Sequence, residues 1–358
     1  MRILYGVTGH GTGHAMRALV LAEHLRTRGH PLLLAASGRA AKLLRARGHE
    51  VTDIEGLALR YVRGGVARTR SLFRILGKAP RALAHNVDRY VNEVSRFEPE
   101  AVISDFDSFS HLAGLARQIP VASFDHQHVL TRCELGAVEP QVAIARALVG
   151  AKMAGCAHYF VSSFYRPEIK PEHAATTTLV GPILRSDVLE RRATHGEHVV
   201  VYQTSAGHRR LLGALRELRG HRFIVYGAGR EGRERHIEYR TFDPDRFLDE
   251  LASARALITH GGHTAISEAL HFGKPVISVP LRGQGEQLLN AEMLERTRAG
   301  RRIGRPNARL IERALATLSV SARSASIEPG NRALVESVDR WLATLARPSG
   351  VRSVPWAA

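Results

Sequence analysis

Apolar residues recur along this chain in short runs, separated by stretches whose apolar positions follow helical spacing. Arg2–Val7 and Leu32–Ala36 are the first two runs, each the length of a buried strand. Between them Met16–Leu25 gathers its apolar side chains on one helical face, and Ala40–Arg47 repeats the pattern before stopping at Gly48. Ala101–Ser104, Val121–Phe124, Tyr159–Ser162 and Thr178–Val180 continue the series, with a helix through His111–Gln118. Strands alternating with helices predict a parallel sheet covered on both faces. The pattern then restarts: Val199–Gln203, Phe223–Tyr226, Ile237–Tyr239, Ala256–Thr259 and Val276–Val279 read as strands with helices between them. Gly181-Pro182 and the charged stretch Arg185–His198 separate the halves, which places a boundary near Gly181–Arg192. The expected fold is therefore α/β, with two Rossmann-like, doubly wound parallel-sheet domains (1–182 and 183–346) facing a central cleft. Ligands of such sheets bind at the carboxyl ends of the strands. The helix Arg332–Ala346 is expected to pack across the domains, and the tail 347–358 to be mobile.

One segment narrows the chemistry. Thr259-His-Gly-Gly-His-Thr-Ala-Ile-Ser-Glu268 sets a strand end, a glycine turn, a helix start and a carboxylate within ten residues. Bare amides and the positive helix end suit a diphosphate, and Glu268 is placed to accept both hydroxyls of a ribose. At the other end of the chain Gly9-His10-Gly11-Thr12-Gly13-His14 follows the first strand and opens the first helix. This loop differs from a dinucleotide fingerprint: His14 replaces the third glycine, and the second strand ends in Ala36-Ser37-Gly38, without an acid for an adenosine ribose. Arg39 leaves a 2′-phosphate reading open. A histidine at a helix N-terminus is disfavoured as imidazolium and so stays able to take a hydroxyl proton. His14 is the first candidate base and His10 its competitor, with a carboxylate of Asp105-Phe106-Asp107 to orient the ring. Those two acids, or Asp125 with His126 and His128, could also hold a cation, although nothing matches a zinc spacing.

At 358 residues each half is large enough for its own core. No apolar run approaches the ~20 residues of a membrane span, and the chain starts on a strand rather than a signal peptide. Cys133 and Cys156 form no metal or disulfide spacing, so a reduced, cytoplasmic setting is expected. The net charge of +17 adds an attraction for phosphates in general. It is densest at Arg60, Arg63, Arg68, Arg70, Arg74, Lys78 and Arg81, interleaved with Leu72, Phe73, Ile75 and Leu76. Such an amphipathic basic segment fits a solvated helix face, an acceptor-binding face or an anionic membrane surface.

In Gly9–Arg17, Ser104–Asp107 with Phe124–His128, and Thr259–Asn290 the sequence resembles the inverting glycosyltransferases of two-Rossmann (GT-B) architecture. It is most similar to the group of the peptidoglycan lipid II N-acetylglucosaminyltransferase, and more distantly to UDP-glucuronosyl and plant glucosyltransferases. The resemblance implies transfer of a sugar from a nucleotide-sugar, with UDP favoured, to an acceptor hydroxyl without a required metal or other cofactor. His14 would be the base and Asp105 its balancing acid. Gly13, His260, Gly262, His263, Thr264 and Ala265 would surround the diphosphate, with Ser205 and Gly207 as a second phosphate-facing loop. Glu268 would bind ribose, Glu286 and Gln287 the donor sugar, and Phe242 would mark the base-binding loop. On the acceptor side stand His10, His126 and His128. Plant-type enzymes carry tryptophan and asparagine where this chain has His263 and Thr264, so its subclass differs. The acceptor itself, lipid-linked at the inner membrane surface or a small molecule, is not fixed by the resemblance.

Two rivals share some of these features. UDP-sugar 2-epimerases have the same architecture and nucleotide grip. A nucleic-acid-binding protein would use the basic charge, but 6% aromatic content and no stacking or helix-turn-helix module speak against specific nucleic-acid recognition.

Overall fold

A computed structural model describes residues 1–9, 13–56, 61–62, 65–66, 80–203, 209–321 and 327–346. His10, Ser205, Gly207, the basic residues from Arg60 through Lys78 and the tail lie outside the described residues.

The apolar runs form the strands they predict. In the first half β1 (Ile3–Val7), β2 (Leu32–Ala36), β3 (Thr52–Asp53), β6 (Ala101–Asp105), β7 (Val121–Asp125), β8 (His158–Ser162) and β9 (Thr177–Val180) build a parallel sheet in the order β3-β2-β1-β6-β7-β8-β9. A small hairpin, β4 (Tyr61–Val62) and β5 (Gly65–Val66), stands apart from it. The second half repeats the plan with β10 (Val199–Tyr202), β11 (Phe223–Tyr226), β12 (Gly232–Glu234), β13 (Ile237–Arg240), β14 (Ala256–Thr259), β15 (Val276–Ser278) and β16 (Gly300–Arg302). Its order is β12-β13-β11-β10-β14-β15-β16, parallel except for β12, which pairs antiparallel with β13. In the middle of each sheet the strand succession reverses, between β1 and β6 and between β10 and β14. Crevices open at such reversals, at the strand carboxyl ends.

The helix Asn331–Ala346 goes back to the first half. Its Leu334, Val338, Trp341 and Leu342 recur at helical spacing and bury in one core with β1 and the helix Gly13–Thr27. His24 of that first helix and Arg28 just after it hold Asp339 at 2.9 and 3.2 Å. The last helix, expected to pack across the domains, finds the partners of its apolar stripe on the first sheet. The chain crosses between the halves twice, side by side. Gly330 donates its amide to the Pro182 carbonyl at 2.8 Å, and Asn331 Oδ1 accepts the Leu184 amide at 3.0 Å.

The halves also meet through apolar packing. Val142 and Val149 of the helix Glu139–Lys152 join Leu289 and Met293 of the helix Gly285–Arg296 in one buried cluster. A Cβ on Gly285 would lie 2.5 Å from Ala145 Cβ, so the two helices approach as closely as glycine allows.

Candidate active site

Asp105 ends β6, opposite Val7 at the end of β1, so its carboxylate stands at the first crevice. His14 lies in the first turn of the helix that follows β1. Its Nδ1 is 2.6 Å from Asp105 Oδ1, and Asp105 is fully buried. Phe106 bends the chain sharply here with a left-handed φ of 54°, its carbonyl held by Lys152 Nζ at 2.7 Å. That bend sends the two acids to different tasks. Asp107 caps the helix Ser108–Ala116, accepting the Ser110 amide at 2.8 Å. Asp105 alone meets the histidine.

The sequence reading omitted Arg17, one turn beyond His14. It is buried, and its Nε donates to Asp105 Oδ2 at 2.7 Å while Nη2 donates to Oδ1. Burial would lower its pKa, but the Asp105 charge and hydrogen bonds outweigh this and raise it. The i, i+3 spacing from His14 was the available signal.

At the second crevice the turn Gly261-Gly262 leads from β14 into the helix His263–His271. Gly261 sits at φ 103°, a conformation that side chains disfavour, and a Cβ there would come 3.0 Å from the Gln287 carbonyl. Gly262 is the cap residue and supplies no side-chain acceptor; the first backbone bond of the helix runs from the Ile266 amide to the Gly262 carbonyl at 3.2 Å. The helices beginning at Ser108 and Pro244, in contrast, are capped by Asp107 and Asp243. The amides of His263, Thr264 and Ala265 are thus left for an anion. His260 and Ala265 are buried and Thr264 half-buried. Gly13 completes the contact between the crevices: a Cβ on it would stand 2.3 Å from Thr264 Oγ1.

Glu268 is buried further along the same helix. Arg185, from the segment joining the halves, donates to its Oε1 at 3.4 Å and to Asp187 at 3.2 Å. Burial pushes the Glu268 carboxyl up to about 7, against the pull of Arg185. Phe242 follows β13 with a partly exposed ring 5.3 Å from Tyr202 at the end of β10. Glu286 and Gln287 occupy the first turn of the helix Gly285–Arg296. Glu286 accepts from Gln127 Nε2 at 3.1 Å across the cleft, and Gln287 Oε1 accepts the Leu281 amide at 3.0 Å.

His126 and His128, expected on the acceptor side, are both buried. His126 Nδ1 donates to the Ser162 carbonyl and its Nε2 meets the Asn290 side chain, both at 2.7 Å. Its ring stacks on His263 with centroids 4.0 Å apart. Asn290 Nδ2 in turn donates to the Gly261 carbonyl at 3.0 Å, so this buried asparagine ties the glycine turn to the first half. The sequence reading had noted that residue only as part of a pattern. His128 Nδ1 is 2.7 Å from Asp125 Oδ2, which Ser123 Oγ also donates to. Burial would raise the Asp125 pKa, yet His128 and Ser123 hold it well below the usual carboxylate range. Both histidines are at most 2% exposed because they brace loops at strand ends. His263 is itself buried, and among the described residues its Nε2 has no hydrogen-bond partner; burial and the neighbouring His126, Arg17 and His14 hold its pKa far down. Among the described residues no group of three or more His, Cys, Asp or Glu could hold a metal ion.

The sequence pattern described as Glycosyl transferase family 1 matches residues 1–318. An uncharacterized glycosyltransferase of Methanosarcina acetivorans is 25% identical over 334 residues, covering 85% of this chain and 84% of its own. A second, from Methanopyrus kandleri, is 46% identical over 48 residues, or 13% of this chain and 14% of its own. Among solved structures, the glycosyltransferase of kitacinnamycin superposes with a TM-score of 0.67 at 17% identity, covering 95% of this chain and 99% of its own. The calicheamicin glycosyltransferase CalG4 gives 0.62 at 18%, covering 97% and 100%. These likenesses are of fold, and the fold is GT-B: two Rossmann-like domains. With that architecture and a family match over most of its length, the chain belongs to glycosyl transferase family 1 and is a glycosyltransferase.

Proposed function

We propose that the protein moves a sugar, with inversion, from a UDP-sugar to the hydroxyl of a lipid-linked or small apolar acceptor, using His14 as general base and no metal. One observation carries this reading. The His14–Asp105 pair at one crevice abuts the uncapped helix start at the other, through Gly13 and Thr264. A proton acceptor and an anion cradle are thereby set face to face.

With the Nδ1 proton donated to Asp105, His14 keeps Nε2 for the acceptor hydroxyl. As the acceptor oxygen bonds to the anomeric carbon, its proton passes to Nε2 and the carbon–phosphate oxygen bond breaks. The electron pair leaves on the diphosphate, where the amides of His263–Ala265 and His260 would stabilise it. Glu268 is close enough in sequence to that helix start to take the ribose, and Phe242 with Tyr202 offers rings to the base. Uridine rests on the family resemblance. An apolar acceptor is supported by Leu83, Val87 and Val91, exposed at helical spacing on the helix that runs from residue 80. No helix among the described residues is long and apolar enough to cross a membrane.

Calorimetry with UDP, GDP and dTDP tests the donor side, and heat with UDP is the expected result. His14→Ala should retain UDP affinity while kcat falls roughly 10²–10⁴-fold, the usual share of general-base catalysis. A parental rate in His14→Ala removes the base assignment, and no heat with any nucleoside diphosphate removes the donor reading. Conversion of UDP-N-acetylglucosamine without an acceptor would point to a 2-epimerase instead. Sedimentation with anionic liposomes at low salt separates a membrane-borne acceptor from a soluble one.

A further inference from the structure

The second sheet has another basin at the edge away from the cleft. The residues just before β10, β11, β13, β14 and β15 surround a space of about 940 Å³, a volume in the range of small-molecule sites. Lys, Arg and His make up a fifth of the chain but nine of the fifteen residues lining this space, so the overall basic composition does not account for it. Four are permanent cations, Arg219, Arg222, Arg233 and Arg255, and Lys274 adds a fifth basic group. The lining has one carboxylate, Glu197.

Basic groups at this edge have an ordinary structural use, because helices end there with their negative poles. The helices Arg209–Glu217, Pro244–Ala252 and His263–His271 do so. Together they supply roughly 1.5 negative charges, at about half a charge each. That leaves most of the surplus uncompensated. Arg222 shares Glu238 at 3.4 Å, but Arg219, Arg233, Arg255 and Lys274 make no ion pair among the described residues. Lys274 is the strongest case. It is 1% exposed, and its ammonium is held by the Thr194 carbonyl rather than by an acid. Burial lowers its pKa only to about 8, so it remains largely charged at neutral pH. A buried, unpaired ammonium beneath a basic basin is costly without an anion nearby.

We propose that this basin is a second ligand site, built for a compact group carrying several phosphates, free in solution or on a lipid headgroup. It is distinct from the donor cleft, since the four-residue strands β10, β11 and β14 separate them by about 13 Å at ~3.3 Å per residue. The concave shape favours a compact ligand over an extended polymer. The proposal does not depend on the donor's identity.

The test is calorimetry of the full-length protein with sodium tripolyphosphate. Arg219 and Arg233 are exposed, so Arg219→Ala/Arg233→Ala should fold normally, as circular dichroism would verify. The dissociation constant at this site should rise at least tenfold in that double variant and stay unchanged in His260→Ala, which alters the other edge. Equal binding by the parent and the double variant would overturn the site. Co-sedimentation with vesicles containing a phosphatidylinositol bisphosphate, lost in the double variant, assigns the phosphates to a lipid headgroup; tripolyphosphate binding without co-sedimentation assigns them to a soluble ligand. A protein that ignores both but binds a short RNA through the same arginines would replace the proposal with nucleic-acid binding.

Discussion

His14 can serve as a base in only one tautomer, with its Nδ1 proton on Asp105. Arg17 complicates that arrangement. Its Nη2 lies 2.6 Å from Nδ1 as well as on the same carboxylate oxygen. A guanidinium donates and never accepts, so beside a protonated Nδ1 it repels and draws away carboxylate charge. Replacing it by an uncharged side chain of similar length, Arg17→Met, should lower kcat at least tenfold with UDP affinity kept, because Asp105 loses the partner that fixes it against His14. It should also cost about 3–5 kcal/mol of stability, because the buried Asp105 charge loses its cationic partner and keeps only the contact with His14. An unchanged kcat in the destabilised variant would show that Arg17 serves packing alone. Glu268 gives a second signature. Its folded pKa of about 7 lies above an unfolded value of about 4.3. Between these values the folded state keeps a proton that the unfolded chain has lost, so stability is greatest below the window and falls as pH rises through it. Urea unfolding at pH 5 and pH 8 should show this decline in the parent and a smaller one in Glu268→Gln. Ribose hydroxyls need the ionised carboxylate, so donor affinity should rise across the same pH range.

At the scale of elements, the decisive feature is how closely two helix starts approach. Gly13 opens the helix Gly13–Thr27 against Thr264 of the helix His263–His271, with no room for a methyl group. Gly13→Ala should therefore part the crevices by a few tenths of an ångström and lower kcat/KM at least tenfold, with little change in unfolding temperature. Thr264→Ala, which removes the obstructing Oγ1, should recover part of the loss in the double variant. The strands that anchor these helices were legible because each is a buried apolar run. β12 and β16 were not. Their Gly232-Arg233-Glu234 and Gly300-Arg301-Arg302 have no apolar pattern and become strands only by pairing with β13 and β15 at sheet edges.

For the whole molecule, the halves meet at two adjacent crossings, in a shared apolar cluster and through polar contacts such as His126–Asn290 and Gln127–Glu286. At the crossings, a Cβ on Gly330 would lie 2.1 Å from the Gly181 carbonyl oxygen, and one on Gly181 would lie 2.4 Å from the Glu328 carbonyl oxygen. Backbone cannot rotate aside as a side chain can. Gly330→Ala should lower the unfolding temperature and raise donor KM together, by disturbing how the halves meet, whereas Gly29→Ala with open space around it would test strain from φ alone. Unchanged KM in Gly330→Ala would mean that the crossing does not govern the cleft. The sequence by itself determined the alternation of strands and helices, the two-sheet plan, the glycine turn with its uncapped helix, and His14 at a helix start. These are local properties, written in the period of apolar positions and in the residues that stop or start a helix. Tertiary structure decided the rest. It chose Asp105 over Asp107 for a histidine 91 positions away, returned the last helix to the first core, turned His126 and His128 into braces, and brought Arg17 and Arg185 onto buried carboxylates. Those outcomes depend on the order of strands in a sheet and on which surfaces meet, and the local period of a sequence contains neither.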